Sequence, residues 1–445
     1  MNYKIEQGKE IISSNSGTAI VGKYLERQRI GKYIKENMKG SLVKKTRAFD
    51  VISSWIGLLS QGRSNYEDIA LFQDDPFFKD SLHLNHLYSS SRFRQITEEV
   101  SDSEMMKILK DLNIQQLQGK DFGTLKIEQY GTEYIPCDLD VSPLDNSKSL
   151  KESVGRTYKN HDGYAPMFAY IGAEGYMLNC ELRPGTQHCQ KGTVAFLKEV
   201  IENLKELDIL HKVVIRLDSG NDAADNIRLL NKEGVKFIIK RNLRKESQEK
   251  WLDFAKSTGE IEKPREGKFV YTGTASHITP KDWSEKDLPV EIVVKVAERS
   301  IDKKGNSLLI NDIDTETYWT NLGEVAKTII NLYHDHGTSE QFHSELKSDM
   351  DVERLASGKF KTNSLILIMA MLSFNILRDI GMKMLDFKED APVSMNVRRK
   401  RIKSVLRDIV NIASKWVTHS GYQVMKFGKN CKWFAVFRRI YLSYC

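Results

Sequence analysis

Residues 213–239 read VVIRLDSGNDAADNIRLLNKEGVKFII, and this stretch decides the fold class. Its first five residues form a run typical of a strand that is buried on both faces, and residues 235–239 form a second such run. Between them, residues 222–233 have the length and the apolar spacing of a helix. A strand, a helix and a strand in succession indicate a sheet covered by helices. The sequence therefore predicts an α/β protein.

The chain before this stretch continues the same pattern. Residues 172–175, GAEG, join two apolar runs and predict a hairpin. Three further strands and a helix are predicted upstream, at 134–141, 167–171, 176–182 and 191–207. The order is then three strands, a helix, a strand, a helix and a strand, which predicts a mixed sheet flanked by helices.

The regions on either side have a different character. Residues 17–125 read as helices separated by short polar loops. Residues 243–320 hold charge-rich loops and short strands such as 290–296, which indicates a β-rich insertion. Strand character returns at 318–322, before a helix that leads through Glu340. We therefore expect a helical N-terminal domain, a first part of the core, the insertion, a second part of the core and a basic C-terminal region, at 1–128, 129–242, 243–320, 321–385 and 386–445.

The bulk composition argues against several classes of protein. A prior of about 100–200 residues per domain gives two to four units for 445 residues. No apolar run of about 18 residues is present, so no membrane span is expected, and the longest run, 365–372, is predicted to be a buried helix. The first residues, MNYKIEQGKE, lack an apolar signal core, so we expect a cytoplasmic protein. The five cysteines show no CxxC spacing, which disfavours structural zinc and disulfides.

Positive charge is concentrated at the end of the chain. Residues 396–445 contain twelve Lys and Arg against one acidic residue, a charge of +11, so the remainder of a chain of net charge +7 carries about −4. A second basic cluster lies at 23–47. Aromatic residues such as Trp416 and Trp433 are interleaved with the C-terminal charges. Both regions suit a polyanion such as nucleic acid, and the alternative is a solvated helix face.

Acidic residues stand at the ends of two predicted strands and on the last helix of the core. Asp138 and Asp140 are two apart on one strand and so share a face. Asp218 ends another strand before a Ser-Gly turn, and Glu340 lies on the helix. Each alone is more typical of a turn or a helix cap. Together they predict a site for two divalent ions about 4 Å apart, which can activate an oxygen nucleophile and neutralise the leaving oxygen of a phosphodiester.

The motifs around these residues resemble those of a known family. Tyr333-x2-His336-x3-Glu340-x6-Lys347 is similar to the Tyr–Arg–Glu–Lys signature of bacterial insertion-sequence transposases with an RNase H-like core. Further similar motifs are Asp140-Val141-Ser142, Arg216-Leu217-Asp218-Ser219-Gly220, Leu182-Arg183-Pro184-Gly185, Tyr66-Glu67-Asp68 and Asp75-Pro76. Together they resemble the family numbered thirteen-eighty, bacterial relatives of the piggyBac elements, over nearly the whole chain.

The resemblance implies an enzyme that moves a DNA element by cut-and-paste transposition. It implies that Asp140, Asp218 and Glu340 hold two Mg²⁺ ions, for which Mn²⁺ can substitute. Asp138 is the alternative first carboxylate, but the Asp-x-Ser context of Asp140 is the one that resembles the family motif. End cleavage, a hairpin intermediate and strand transfer are then expected, on double-stranded terminal inverted repeats and target DNA, by a homodimer.

Several residues are expected to contact DNA. Lys347 and Tyr333 would lie near the cleaved phosphate, and a core aromatic is the alternative for Tyr333. His336 replaces the Arg of the family signature, which implies a weaker, pH-dependent phosphate contact. The other expected DNA contacts are Arg92 and Arg94 in the N-terminal domain and Arg398, Arg399 and Arg401 in a tail helix. In such transposases an inserted β-domain can stack on a flipped base, and the candidates here are Trp251, Trp283 and Trp319.

Other interpretations of the same residues remain open. The chain could be an RNase H-like nuclease or resolvase without strand transfer, or a DNA-binding derivative without catalysis. His334, Asp335, His336 and His343 could instead form a zinc site. Histidines two apart on a helix point to different sides, which disfavours that reading.

Overall fold

The computed structural model describes residues 3–126, 132–278, 289–302 and 304–445. In chain order, strands β1 to β16 span Ile11–Ser13, Leu125–Lys126, Glu133–Val141, Leu144–Asp145, Gly155–Arg156, Asp162–Tyr164, Met167–Ile171, Tyr176–Glu181, Val213–Leu217, Lys236–Lys240, Glu260–Arg265, Lys268–Ile278, Val290–Ile301, Ser307–Thr320, Ser414–His419 and Tyr422–Phe427. Helices α1 to α14 span Thr18–Arg27, Ile30–Asn37, Leu42–Leu59, Pro76–Ser81, Ser90–Val100, Ser103–Leu117, Thr193–Glu206, Ala224–Lys232, Gln248–Thr258, Ala326–His334, Ser339–Ser344, Phe360–Asp386, Ile402–Val405 and Phe434–Ser443.

A large mixed sheet forms the centre of the molecule, as the sequence predicts. Its strands lie in the order β11-β12-β13-β14-β10-β9-β3-β7-β8, with β2 beside β3. Strands β3, β9 and β10 are parallel, whereas β7 is antiparallel to β3 and β8 to β7. The strands and helices predicted between residues 134 and 239 agree with the observed ones to within one or two residues at each end. The α/β prediction is therefore confirmed.

Helix α7 shows why the core forms as it does. Its buried residues recur at helical spacing and face the sheet, so one stripe of the helix packs against apolar strand residues. The stripe consists of Phe196, Leu197, Val200, Ile201 and Leu204. Strand β9 has no exposed position along its length, as expected for a parallel strand covered on both faces.

The region 243–320 has the predicted β-rich character, but its strands continue the core sheet. The last residues of β14 pair with β10, where Thr320 lies opposite Ile238, while most of β14 pairs with β13. The sequence did not predict helix α9, which packs on β12 to β14. Strand β14 therefore belongs to both regions. The division into domains stays a prediction, and its border at 128/129 lies outside the described residues.

Helix α12 contains the apolar run at 365–372 but is far longer than that run. By length and composition it is the one helix of the described chain that could cross a bilayer, yet 94% of its most apolar window is buried inside the protein. It contacts β8, α3 and α6, so it joins the sheet to the N-terminal helices.

The two ends of the chain meet. Strand β1 pairs with β15, and the Ser16 amide donates to the Ile412 carbonyl at 3.0 Å. The predicted tail helix around Arg398 is wrong, because residues 398–401 precede helix α13 and β15 and β16 form a hairpin beyond it. Local sequence patterns cannot predict this pairing, because β1 and β15 are about 400 residues apart in the chain.

Candidate active site

The ends of β3 and β9 lie side by side, and an open pocket forms beside them. Asp140 from β3, Asp218 from the end of β9 and Glu340 from α11 all line this pocket. The structure therefore brings together the three carboxylates that the sequence singled out. The other residues that line the pocket are Val141, Ser142, Tyr158, Lys159, Lys240, Glu316, Tyr333, His334, His336, Gly337, Ser339, His343, Ser344, Lys347 and Ser348.

Asp140 is held by a histidine. His343 Nε2 lies 3.3 Å from Asp140 Oδ2, and His343 Nδ1 lies 3.2 Å from the hydroxyl of Tyr170. The hydroxyl can donate to Nδ1, which leaves Nε2 to donate to the carboxylate. Burial alone would raise the pKa of Asp140, but the His343 hydrogen bond and nearby imidazoles outweigh burial and lower it. Asp140 is therefore set up to stay ionised.

Asp218 has the opposite shift. Burial raises its pKa, and the negative charge of Asp140 raises it further, against a 2.6 Å hydrogen bond from Asn221 Nδ2. The residue begins a short 3₁₀ turn, Ser219–Asn221, so the chain turns away directly after the strand. Two facing carboxylates with opposed pKa shifts are typical of a functional site that a cation would neutralise.

Glu340 is exposed in the first turn of α11. The predicted helix continues through this region, but its pitch changes: a 3₁₀ segment, Asp335–Thr338, lies between α10 and α11, and a π-helical turn, Glu345–Asp349, follows α11. Tyr333, Glu340 and Lys347 all line the pocket, as their seven-residue spacing predicts.

The donor set fits hard divalent cations. Asp140, Asp218 and Glu340 offer oxygen only, which is the ligand type of Mg²⁺ and Mn²⁺. Within the described ranges, no three His, Cys, Asp or Glu groups form a preformed metal cluster. Mg²⁺ retains several waters and needs only one or two carboxylates each, so an open arrangement suits it.

The contacts of the described residues disfavour the two alternatives that the sequence left open. Asp138 is buried, with its oxygens 2.5 and 2.7 Å from Arg216 Nε and Nη2, so it is not a pocket ligand. The zinc reading fails because its histidines have separate partners. His334 contacts Glu316, His336 contacts Asp138 and His343 contacts Asp140.

The family comparison agrees with this geometry. The sequence profile described as transposase DDE domain group 1 matches residues 4–443. The chain belongs to this DDE transposase family. No curated protein matches it. Among solved structures it is similar to a piggyBac transposase synaptic complex with hairpin DNA, studied by cryo-electron microscopy, at 11% identity and a TM-score of 0.39, over 97% of this chain and 80% of that one.

Three residues of the transposase that are predicted to contact DNA line the pocket beside the carboxylates. Lys347 Nζ donates to the Pro143 carbonyl at 2.6 Å, and burial lowers the pKa of this lysine. Tyr333 is 9% exposed and packs on Tyr318, with ring centroids 4.8 Å apart. His336 has a protein partner, Asp138, at 2.8 Å. DNA contact by these three residues stays a prediction, and the structure gives Tyr333 and His336 internal contacts as well.

The predicted arginine contacts differ in their surroundings. Arg399 is engaged internally by Glu345 and Gln341 and lies 4.7 Å over the Phe342 ring, so its guanidinium is largely committed to the fold. Arg401 pairs with Asp349 at 2.9 Å. Arg92 contacts Glu99, and Arg94 lies over the Tyr66 ring, whereas Arg398 is exposed beside the Glu345 region. Internal partners of this kind cannot be read from a basic run in a sequence.

Two of the three tryptophans fall in the described chain. Trp319 is buried, donates to Asp222 Oδ1 at 2.9 Å and has the Arg241 guanidinium 4.6 Å from its ring. Trp251 is partly exposed and contacts the same arginine. Trp319 is therefore a packing residue, and Trp283 lies outside the described residues.

Sequence reasoning missed a tyrosine and a lysine at the mouth of the pocket. Tyr158 and Lys159 sit at the tip of a turn closed by the Thr157 amide, which donates to the His161 carbonyl at 2.9 Å. Tyr158 is 62% exposed as a residue, while its hydroxyl donates to the Val141 carbonyl at 2.9 Å. The Tyr-Lys-Asn sequence in a polar segment could have signalled this turn, but not its place beside Asp140.

Proposed function

We propose that this transposase moves a DNA element by metal-dependent cut-and-paste transposition, with Asp140, Asp218 and Glu340 as the ligands of two Mg²⁺ ions that Mn²⁺ can replace. One observation carries the proposal. Three carboxylates from elements far apart in the sequence line a single open pocket in a DDE transposase chain. When bound, the ions would supply charge neutralisation and activation of an oxygen nucleophile.

The proposed reaction proceeds in four steps. Water attacks a phosphodiester at the element end and frees a 3′-hydroxyl. That hydroxyl attacks the opposite strand and closes a hairpin, which a second hydrolysis reopens. The 3′-ends then attack target DNA. Each step exchanges one phosphodiester for another or hydrolyses one, so no ATP is needed.

The residues around the carboxylates would position DNA. Lys159, Lys240 and Lys347 line the pocket with ammonium groups that can neutralise phosphates on either side of the reacting bond. The exposed ring of Tyr158 can stack on a base next to the cleaved end. His343 would orient Asp140, because its Nε2–H is directed at that carboxylate.

Finer features of the proposal rest on the sequence resemblance and on the sheet. The five core strands lie in the order β8-β7-β3-β9-β10, so in chain order they are the third, second, first, fourth and fifth core strands. Only β7 is antiparallel to its neighbours. This arrangement supports an RNase H-like core. We place the chain with the bacterial thirteen-eighty family, acting in the cytoplasm. Two element ends must be paired in one complex, so we propose a homodimer on DNA.

The test uses end-containing duplex DNA and the single variants Asp140→Asn, Asp218→Asn and Glu340→Gln. We expect each variant to bind the duplex but to lose cleavage by at least 100-fold, and to bind Mn²⁺ at least tenfold more weakly in titration calorimetry. Asp225→Asn is the matched control, since Asp225 is an exposed carboxylate of α8 away from the pocket. Normal cleavage by the three variants would refute the assignment.

The same assay, with target DNA added, separates the other functions. Cleavage without joining to target DNA would identify a nuclease or resolvase. Duplex binding without cleavage by the wild-type chain would identify a DNA-binding derivative.

A further inference from the structure

A buried charged cluster lies directly behind the pocket. Arg216 donates to Asp138 through Nε at 2.5 Å and Nη2 at 2.7 Å, and His336 Nδ1 lies 2.8 Å from Asp138 Oδ1. The side chains are 1%, 5% and 9% exposed for Arg216, Asp138 and His336. The presence of three titratable groups in the interior requires an explanation other than stability, because a buried ion pair is often no more stabilising than apolar residues of the same volume.

Each member of the cluster lies two or four residues before one of the three carboxylates. Asp138 precedes Asp140 by two residues on β3, and Arg216 precedes Asp218 by two residues on β9. His336 precedes Glu340 by four residues, in the 3₁₀ segment that leads into α11. In the parallel ladder of β3 and β9, Asp138 lies directly opposite Arg216.

The arginine also reaches the end of α10. Its Nη1 donates to the Leu332 carbonyl and lies 3.4 Å from Asp335 Oδ2. The guanidinium thus joins two strands and the helix end in one planar set of hydrogen bonds, which a lysine ammonium could not reproduce. His336 is held from its other side by the Tyr333 ring, with centroids 5.5 Å apart.

We infer that Asp138, Arg216 and His336 form a positioning cluster that ties the three carboxylate-bearing elements together and sets the spacing of Asp140, Asp218 and Glu340. The inference rests on the proposed function for the role of those carboxylates. His336 then serves the metal site through Asp138, in the place where the related signature has an arginine for DNA. His336 lies in the 3₁₀ segment between α10 and α11, where hydrogen-bond geometry is poorer than in an α-helix, so a side-chain tie at this point can hold the turn that leads to Glu340.

A purely stabilising ion pair is the competing explanation, and the chain contains a matched control for it. Asp379 of α12 is buried, pairs with Lys120 and accepts a 2.5 Å hydrogen bond from Tyr444, away from the pocket. The comparison uses Asp138→Asn, His336→Asn and Asp379→Asn in the full chain. Two measurements are made on each: Mn²⁺ affinity by calorimetry, and hydrogen exchange of residues 333–344.

We expect Asp138→Asn and His336→Asn to weaken Mn²⁺ binding at least tenfold, as loss of residues that orient metal ligands does, and to raise exchange in 333–344 at least tenfold. Asp379→Asn should leave the Mn²⁺ affinity within twofold and that exchange unchanged. If Asp138→Asn and His336→Asn behave like Asp379→Asn in both measurements, the cluster serves stability alone and the inference is overturned.

Two further outcomes are distinguishable. If the wild-type chain binds no Mn²⁺, the proposed function fails, and hydrogen exchange alone decides whether the cluster holds the Glu340 segment. If Asp138→Asn does not fold, His336→Asn decides the matter, because it leaves the Asp138–Arg216 pair in place.

Discussion

Substitution of Gly175 by alanine tests whether the β7–β8 turn supports the helix that carries Glu340. Gly175 has φ +73°, and a Cβ built on it would lie 2.2 Å from Cζ of Phe342, a residue of α11. Gly234 is the matched control. Its φ is +68°, and a Cβ there meets none of the described atoms within 4 Å.

The expected magnitudes follow from these two environments. Both alanines must adopt a left-handed backbone, which costs about 1–2 kcal/mol. Only Gly175→Ala adds overpacking, which costs about 1–3 kcal/mol more because Phe342 is wedged between Tyr170 and the Arg399 guanidinium. We therefore expect a loss in the free energy of unfolding of about 1–2 kcal/mol for Gly234→Ala and about 2–5 kcal/mol for Gly175→Ala.

Urea unfolding of the two variants measures the difference. Phe342→Leu in the Gly175→Ala background removes the ring atoms, so the double variant should recover at least 1 kcal/mol relative to additivity. Displacement of Phe342 should also weaken Mn²⁺ binding, since Glu340 is two residues away in the same turn. Equal losses for both glycines, with no coupling to residue 342, would refute the contact and the support that we derive from it.

Two further changes test the surroundings of the pocket. Burial alone would raise the pKa of Glu316, but Lys295, His334 and Lys240 lower it to about 2. The ionised Glu316 therefore stabilises the folded protein fully above the unfolded pKa of about 4.5, and this stabilisation is lost as pH falls through about 2. Glu316→Gln should thus lower the free energy of unfolding by about 2 kcal/mol at pH 7. Measured by urea unfolding, this difference from the wild type should shrink only below about pH 4.5. A difference that does not depend on pH would contradict the prediction. Tyr158→Ala should slow end cleavage about tenfold while Tyr158→Phe retains most activity, because stacking needs the ring and not the hydroxyl; equal loss in both would assign the effect to the Val141 hydrogen bond.

The core of the fold was predictable because its signals are local. Runs such as 213–217 are apolar on both faces, and α7 repeats its apolar stripe at helical spacing, so burial and periodicity specify each element. The carboxylates were predictable for a related reason. Asp140 and Asp218 end strands that the sheet must place side by side, and the signature spacing places Glu340 with Tyr333 and Lys347.

The remainder depends on contacts between residues far apart in the chain. The sequence predicts one regular helix through Glu340, yet the helix tightens to a 3₁₀ segment at 335–338, where His336 contacts Asp138, almost two hundred residues earlier. Likewise, nothing in the sequence indicates that Arg399 forms an ion pair with Glu345. Local propensity carries no information about such partners, so the internal contacts of these charged residues could not be predicted from the sequence.

The ladder between β3 and β9 shows how the buried pair also sets the geometry of the site. A slip by one residue would place Asp138 opposite Ile215 or Leu217 instead of Arg216 and would break the buried ion pair, at a cost of several kcal/mol. The same slip would offset Asp140 from Asp218 by about 3.3 Å along the strands, nearly the full separation of two metal ions. Because side chains alternate along a strand, the ion pair and the carboxylates are two residues apart on the same face of each strand. The electrostatic penalty that selects the register therefore selects the spacing of the carboxylates as well, which gives a buried ion pair a function that apolar packing could not replace.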